Sequence, residues 1–445
     1  MNIAVIGTGY VGLVSGVCFA ELGNNVTCVD KISSKIERLK NGESPIYEPG
    51  LTDLIQKNAE GGRLQFTTSL AEALEQSEII ILAVGTPSLP SGEANMSYIY
   101  EAAREIGELI SKYSIVIIKS TVPVGTNEKV KSIIQEQTSV PFDIVSVPEF
   151  LREGSAVHDT FNPDRIVIGA ERKQAEQIVV SLHRDLTTNI VVTDVRSAEM
   201  TKYASNAFLA TKISFINEIA NICEKVGANV DEVAKGMGMD KRIGNSFLRA
   251  GIGYGGSCFP KDTRALIQIA GNVDYEFKLL RSVVEVNQDQ RFQVIKKLQS
   301  VFGSLAGKTI AIWGLAFKPE TDDIREAPAI EIIDRLITLG AHIHAYDPIA
   351  SDNFKRQFDH ANIRWCKDAM EAAQGVDALC LLTEWKEFLQ IDLCKLQKIM
   401  NEPILIDGRN VFYEDDLLKT KFVYYSVGRP HLASGIRGNL PLLTL

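Results

Sequence analysis

The sequence predicts an α/β protein with two Rossmann-like doubly wound domains joined by a helical middle domain that contains one long central helix. Three observations predict it. Short β-branched runs alternate with amphipathic segments early in the chain, an unbroken helical pattern follows, and the strand–helix alternation resumes at Gly307. At 445 residues, and about 150 residues per domain, roughly three domains are expected. Their boundaries are placed at 1–196, 197–300 and 301–445.

Residues 2–6, 25–30, 78–84, 115–119 and 143–147 read as strands. Their separation by helical segments implies a parallel sheet covered on both faces, which binds ligands beyond the carboxyl ends of its strands. From 197 to 226 there is neither Pro nor Gly, and Met200, Tyr203, Ala207, Ala210, Ile213, Ile216 and Ile219 recur at helical spacing. A second helical pattern covers 277–298. Beyond it, 309–313, 342–346, 378–383 and 404–406 read as strands, and 327–339 as a helix stopped by Gly340.

Composition excludes several classes. A hydrophobic content of 45% with 23% charged residues is that of an ordinary globular protein. A net charge of -9 provides no basic field for nucleic acid or an anionic membrane surface. No apolar run approaches the ~20 residues needed to cross a bilayer. The opening residues 1–20 lack the basic start of a signal peptide and are broken by four glycines. Seven cysteines without a CxxC pair fit reduced thiols in a cytoplasm, and the six histidines form no metal-ligand pattern: His342 and His344 share a strand face without a third ligand.

Gly7-Thr-Gly9-Tyr10-Val11-Gly12 follows the first strand, opens a helix, and is followed by Asp30 at the end of the second strand. Gly7 permits a tight turn, Gly9 lets a pyrophosphate approach the backbone, and Gly12 permits close helix–strand packing. Asp30 can accept from an adenosine ribose and repels a 2′-phosphate, so NAD is the expected cofactor. The loops Val84-Gly85-Thr86-Pro87 and 119–126 after later strands are further candidates to line it.

Cys258 lies in a glycine-rich run from Gly253 beside Lys261 and Asp262, where a nearby cation and backbone amides lower a thiol pKa; it reads as a nucleophile toward a carbonyl. Lys202 and Asn206 project from one helix face a turn apart and can stabilise an oxyanion. Glu149, after the strand at 143–147, can activate water. Arg242, Arg249, Lys318, Arg325 and Arg409 lie in polar or glycine-containing loops and suit a pyrophosphate.

With its segments GTGYVG from Gly7, SPIYEPGL from Ser44, KSTVPVGT from Lys119, PEFLREG from Pro148, GGSCFPKD from Gly255, FKPETDDIRE from Phe317 and DGRN from Asp407, the chain resembles the UDP-glucose/GDP-mannose dehydrogenase family over essentially its whole length. The resemblance implies NAD-dependent four-electron oxidation of UDP-glucose to UDP-glucuronate through a Cys258 thiohemiacetal and thioester, with GDP-mannose or a UDP-N-acetylhexosamine as the alternative substrate. It implies that Lys202 and Asn206 stabilise oxyanions and that Thr121, Glu149 and Asp262 position water and relay protons. The implied cofactor contacts are the Gly7–Gly12 turn, Asp30, Lys35, Thr86, Thr121, Glu153, Lys261 and Arg325. The implied substrate contacts are Glu149, Phe150, Leu151, Arg152, Glu153, Lys202, Asn206, Arg249, Ala250, Gly251, Ile252, Gly253, Lys318 and Arg409, with Arg242 supplied by a neighbouring subunit of a homodimer. Two other classes compete: a sensor that binds NAD and a sugar nucleotide without turnover, and a two-electron hydroxyacid dehydrogenase that has no need of Cys258.

Overall fold

The computed structural model describes residues 1–430 and 432–433. Two units can be distinguished: Met1–Ser205 with Arg264–Asp274, and Asn206–Thr263 with Tyr275 onward.

In the first unit the strands are β1 (Asn2–Ile6), β2 (Asn25–Val29), β3 (Leu64–Thr67), β4 (Ile79–Leu82), β5 (Ser114–Ile118), β6 (Phe142–Ser146), β7 (Ile166–Ala170) and β8 (Ile190–Thr193), in the order β3-β2-β1-β4-β5-β6-β7-β8. All neighbours are parallel except β6 and β7, which meet antiparallel. The runs of successive apolar residues explain why helices cover both faces. With a side-chain period of two, Ile3, Val5, Ile79, Ile81, Ile115 and Ile117 enter one core, while Ala4, Ile6, Ile80, Leu82, Val116 and Ile118 enter the other.

The second unit repeats the plan with β9 (Thr309–Trp313), β10 (His342–Tyr346), β11 (Ile363–Trp365), β12 (Ala378–Leu381), β13 (Ile404–Asp407), β14 (Val423–Tyr425) and β15 (Leu432–Ala433), ordered β11-β10-β9-β12-β13-β14-β15. Only the β14–β15 pair is antiparallel. Trp313 is fully buried, stacks on Phe388 at 5.0 Å and anchors this core.

The helix Val195–Val226 has 32 residues and is therefore about 48 Å long. Tyr203, Ala207, Ala210 and Ile216 of its expected stripe are buried, whereas Met200 is exposed. A second stripe faces outward: Phe208, Phe215 and Ile222, at intervals of seven residues, are 66%, 49% and 54% exposed. The helical pattern at 277–298 resolves into two helices, Lys278–Arg291 and Gln293–Phe302. The break falls at Phe292, whose N–H bonds Asp289 O three residues back in a tighter step.

Candidate active site

In the first unit, the turn after β1 explains each of its glycines. Gly7 has φ 97°, and a Cβ there would lie 2.7 Å from Ala83 O; one on Gly12 would lie 1.9 Å from Gly7 O. A Cβ on Gly9, by contrast, would meet no atom within 4 Å. Gly9 is thus unnecessary for packing, and its bareness leaves the N-terminus of the helix Tyr10–Glu21 open to an anion. Asp30 accepts from Thr8 N at 3.1 Å, Thr8 Oγ1 at 2.7 Å, Lys35 Nζ at 2.8 Å and Ile32 N at 3.1 Å. Burial alone would raise its pKa, but Lys35, Thr8 and these amides hold it below the usual carboxylate range. Thr86 Oγ1 donates to Thr121 O at 2.9 Å and Ser120 Oγ to Val84 O at 2.7 Å, tying the loops after β4 and β5 together.

Beyond β6, Glu149 accepts from Lys202 Nζ at 3.0 Å and from Leu151 N at 2.6 Å. Both charged side chains are almost wholly buried, at 5% and 4% exposure. Burial pushes the Glu149 carboxyl up, but Lys202, the Leu151 N–H and Lys119 outweigh it and keep the group ionised. Burial brings Lys119 down to about 8, moderated by Glu149. Lys202 Nζ also lies 5.4 Å from the centre of the Phe150 ring, and the Arg165 guanidinium stands 3.7 Å from it. Arg152 does not join these groups in binding Glu149; it pairs with Asp159 at 2.6 Å.

In the second unit, Cys258 immediately precedes the helix Phe259–Gly271, where the helix dipole favours a thiolate. It is partly accessible, and its carbonyl accepts from Asp262 N at 2.8 Å. Asp262 is buried between two donors, Asn206 Nδ2 at 2.6 Å and Lys261 Nζ at 2.7 Å. One helix, Val195–Val226, therefore presents an ammonium held by Glu149 and, a turn later, an amide oriented by Asp262.

A cavity of about 300 Å³ in the same unit is lined by Arg249, Ala250, Gly251, Gly253, Lys318 and Arg409, together with Phe247, Tyr254, Phe259 and Phe317. Arg409 acts as a brace: its nitrogens donate to Leu382 O at 2.7 Å, Gly253 O at 3.1 Å and Phe317 O at 3.2 Å. Ile252 is wholly buried in the core of the second sheet, and its N–H bonds Gly408 O. Arg242 is exposed and bound to Asp240 at 2.6 Å, and Arg325 pairs with Asp323 at 2.6 Å.

Sequence reasoning missed the residues that shape this cavity. Asn287 clamps Tyr254 through both Oδ1 and Nδ2, Gln290 donates to Gly251 O at 2.9 Å, Arg291 donates to Tyr254 O at 3.1 Å, and Asn217 Oδ1 accepts from Gly251 N at 2.9 Å. Asn287, Gln290 and Arg291 lie on one face of the helix Lys278–Arg291, and all three are buried. Polar residues at three- and four-residue spacing where an apolar stripe belongs were the available signal. Among the described residues, no group of three or more His, Cys, Asp or Glu is placed to hold a metal ion.

Three family models match the chain: the NAD binding domain of the UDP-glucose/GDP-mannose dehydrogenase family over residues 1–187, its central domain over 196–289 and its UDP binding domain over 311–414. The UDP-glucose 6-dehydrogenases TuaD and YwqF of Bacillus subtilis are 51% and 53% identical to it, covering 99% and 96% of this chain and 95% and 98% of their own. A UDP-glucose dehydrogenase structure from Pyrobaculum islandicum is 36% identical, with a TM-score of 0.90 over 96% of this chain and 97% of that one.

Proposed function

Because the chain belongs to the UDP-glucose/GDP-mannose dehydrogenase family and is an NAD-dependent oxidoreductase, we propose that it oxidises UDP-glucose at C6 to UDP-glucuronate in two successive hydride transfers. The observation that carries this reading is Cys258 at a helix N-terminus beside the Asn206–Asp262–Lys261 cluster, since a two-electron dehydrogenase needs no such nucleophile.

The bare Gly9, the helix N-terminus behind it and the ionised Asp30 fit a dinucleotide. When bound, NAD accepts the hydride in each oxidation. The remaining steps belong to the protein. Lys202 and Asn206 hold the substrate oxygen at C6 and offset its developing charge. Sγ of Cys258 adds to the aldehyde carbon to give a thiohemiacetal; loss of the second hydride from that carbon gives a thioester. Water, positioned by Glu149 and Thr121, gives a proton to the Glu149 carboxylate as its oxygen adds to the thioester carbon, and the C–S bond then breaks with Cys258 leaving as the thiolate. Asp262 keeps the Asn206 amide turned toward its work. The cavity with Lys318, Arg249 and the 249–253 backbone suits the nucleotide, and Phe150, Leu151, Arg152 and Glu153 belong with the sugar.

On this reading residues 1–196 bind NAD, 197–300 pair two subunits, and 301–445 bind the UDP moiety. The outward stripe of Phe208, Phe215 and Ile222 supports a homodimer, with Arg242 reaching the partner's site. No described helix is long and apolar enough to cross a membrane, and we place the reaction in the cytoplasm.

The test is stoichiometric. Purified protein with NAD and UDP-glucose should release two NADH per sugar nucleotide consumed, with little from GDP-mannose or UDP-N-acetylmannosamine. Cys258→Ser should bind NAD yet form no acid. A single NADH with accumulating aldehyde, or full acid formation by the variant, would overturn the mechanism.

A further inference from the structure

The SPIYEPGL segment takes no part in the chemistry above, yet its glutamate is buried. Glu48 is 6% exposed, and its carboxylate accepts two backbone N–H groups, Gly154 N to Oε2 at 2.7 Å and Val157 N to Oε1 at 3.3 Å. The Gly154 N–H is shared: it also donates to the hydroxyl of Tyr10 at 2.7 Å. Gly154 itself has φ 78°, a left-handed conformation that fixes where the chain turns after Glu153.

These contacts complete a series of fastenings along one short segment. Glu149 Oε2 takes Leu151 N, Asp159 Oδ2 takes Arg152 N at 3.0 Å, and Glu48 with Tyr10 takes Gly154 N. Glu149 thus makes the first of these anchors itself, and Glu153 is held between those at 152 and 154. Carboxylate acceptors make charge-assisted bonds that are stronger than amide–amide ones, so the Glu48 anchor is a stiff one. Tyr10, on its other side, opens the helix that follows the Gly7–Gly9 turn, which on the reading above meets the dinucleotide.

We propose that Glu48 is a positioning residue: through the shared Gly154 N–H it registers the acidic segment 149–153 against the Tyr10 turn, so that the water-positioning and sugar-facing groups are set by the same node as the dinucleotide turn. This rests on the reading that residues 149–153 meet the sugar nucleotide.

Glu48→Gln preserves size and one acceptor oxygen but turns an amide N–H toward backbone donors. It should lower kcat/KM for UDP-glucose about 10- to 100-fold, the scale on which small misplacements act, while NAD affinity without substrate stays near wild type. Glu48→Asp, which retains both oxygens on a shorter arm, should recover part of the loss. Tyr10→Phe combined with Glu48→Gln should cost less than the sum of the two single losses, because both act on one N–H. In ligand-free protein, hydrogen exchange of the peptide 149–157 should quicken in Glu48→Gln, with the β4 and β5 peptides unchanged. Wild-type kcat/KM with unaltered exchange would overturn the proposal, as would an activity loss that only tracks the folded fraction with exchange raised across the whole first unit. If the wild-type protein turns over no UDP-glucose, the functional reading fails while the exchange comparison still decides the positioning role.

Discussion

Glu149 is a carboxylate between two amines, and that arrangement governs what single substitutions do. Glu149→Gln removes the carboxylate that a buried Lys202 meets at 3.0 Å and should destabilise the protein by about 3 kcal/mol, whereas Glu149→Leu with Lys202→Met should cost much less than the two singles together. Urea titrations of the cycle measure this. Lys119 gives a pH signature. Burial brings its amine from 10.5 to about 8, so between those pH values the unfolded chain holds more protons than the folded one and stability rises with pH. Below about pH 8 the folded protein carries the full cost of the buried charge. Lys119→Met should flatten that slope in denaturant titrations across the window. Cys258 stood out in the sequence because its glycine-rich setting beside Lys261 and Asp262 is chemically unusual, whereas Lys202 and Asn206 offered only a spacing of four that any solvated helix face shares. The desolvation of the half-buried Lys119 amine was not legible there, because its side chain follows an apolar strand that gives no sign of which face it takes.

At the scale of elements, the turn after β1 separates packing from binding within six residues. Gly12→Ala would force a Cβ into Gly7 O and should lower the melting temperature, whereas Gly9→Ala should melt like wild type and lose NAD affinity in calorimetry. The outward stripe on the helix Val195–Val226 makes a similar demand: Phe215→Asp should leave helicity unchanged and yield a monomer by light scattering. Runs such as Ile79–Leu82 announced buried strands because every position is apolar. β3 and β8 did not: Gln65 breaks the apolar run of β3, and β8 is a run of only four residues whose Val191 and Val192 lie exposed, against what their type suggests. The outward stripe escaped notice because a second apolar row on one helix is indistinguishable in sequence from a wider buried face.

Across the whole molecule the same strand order, β3-β2-β1-β4-β5-β6 and β11-β10-β9-β12-β13-β14, appears twice. The repetition was readable from the resumed alternation at Gly307, but not the fate of the second crevice. After β9, Gly314 turns with φ 95° much as Gly7 does, and Asp347 ends β10 as Asp30 ends β2. Asp347, however, is buried and accepts five protein donors, Leu315 N, Ala316 N, Ile349 N, Ala350 N and Trp385 Nε1. Unlike the half-buried Asp30, Asp347 is only 2% exposed and its carboxylate is sealed from a ribose, so calorimetry should return one NAD per chain. The cysteines are distributed with equal economy. Cys18, Cys28, Cys223, Cys366 and Cys380 are buried, with burial raising each thiol, while Cys258 and Cys394 are partly accessible. An alkylating reagent therefore counts conformations: two sulfurs on native chains, seven on denatured ones, so mass spectrometry of a labelled sample reads the proportion of each in a single spectrum.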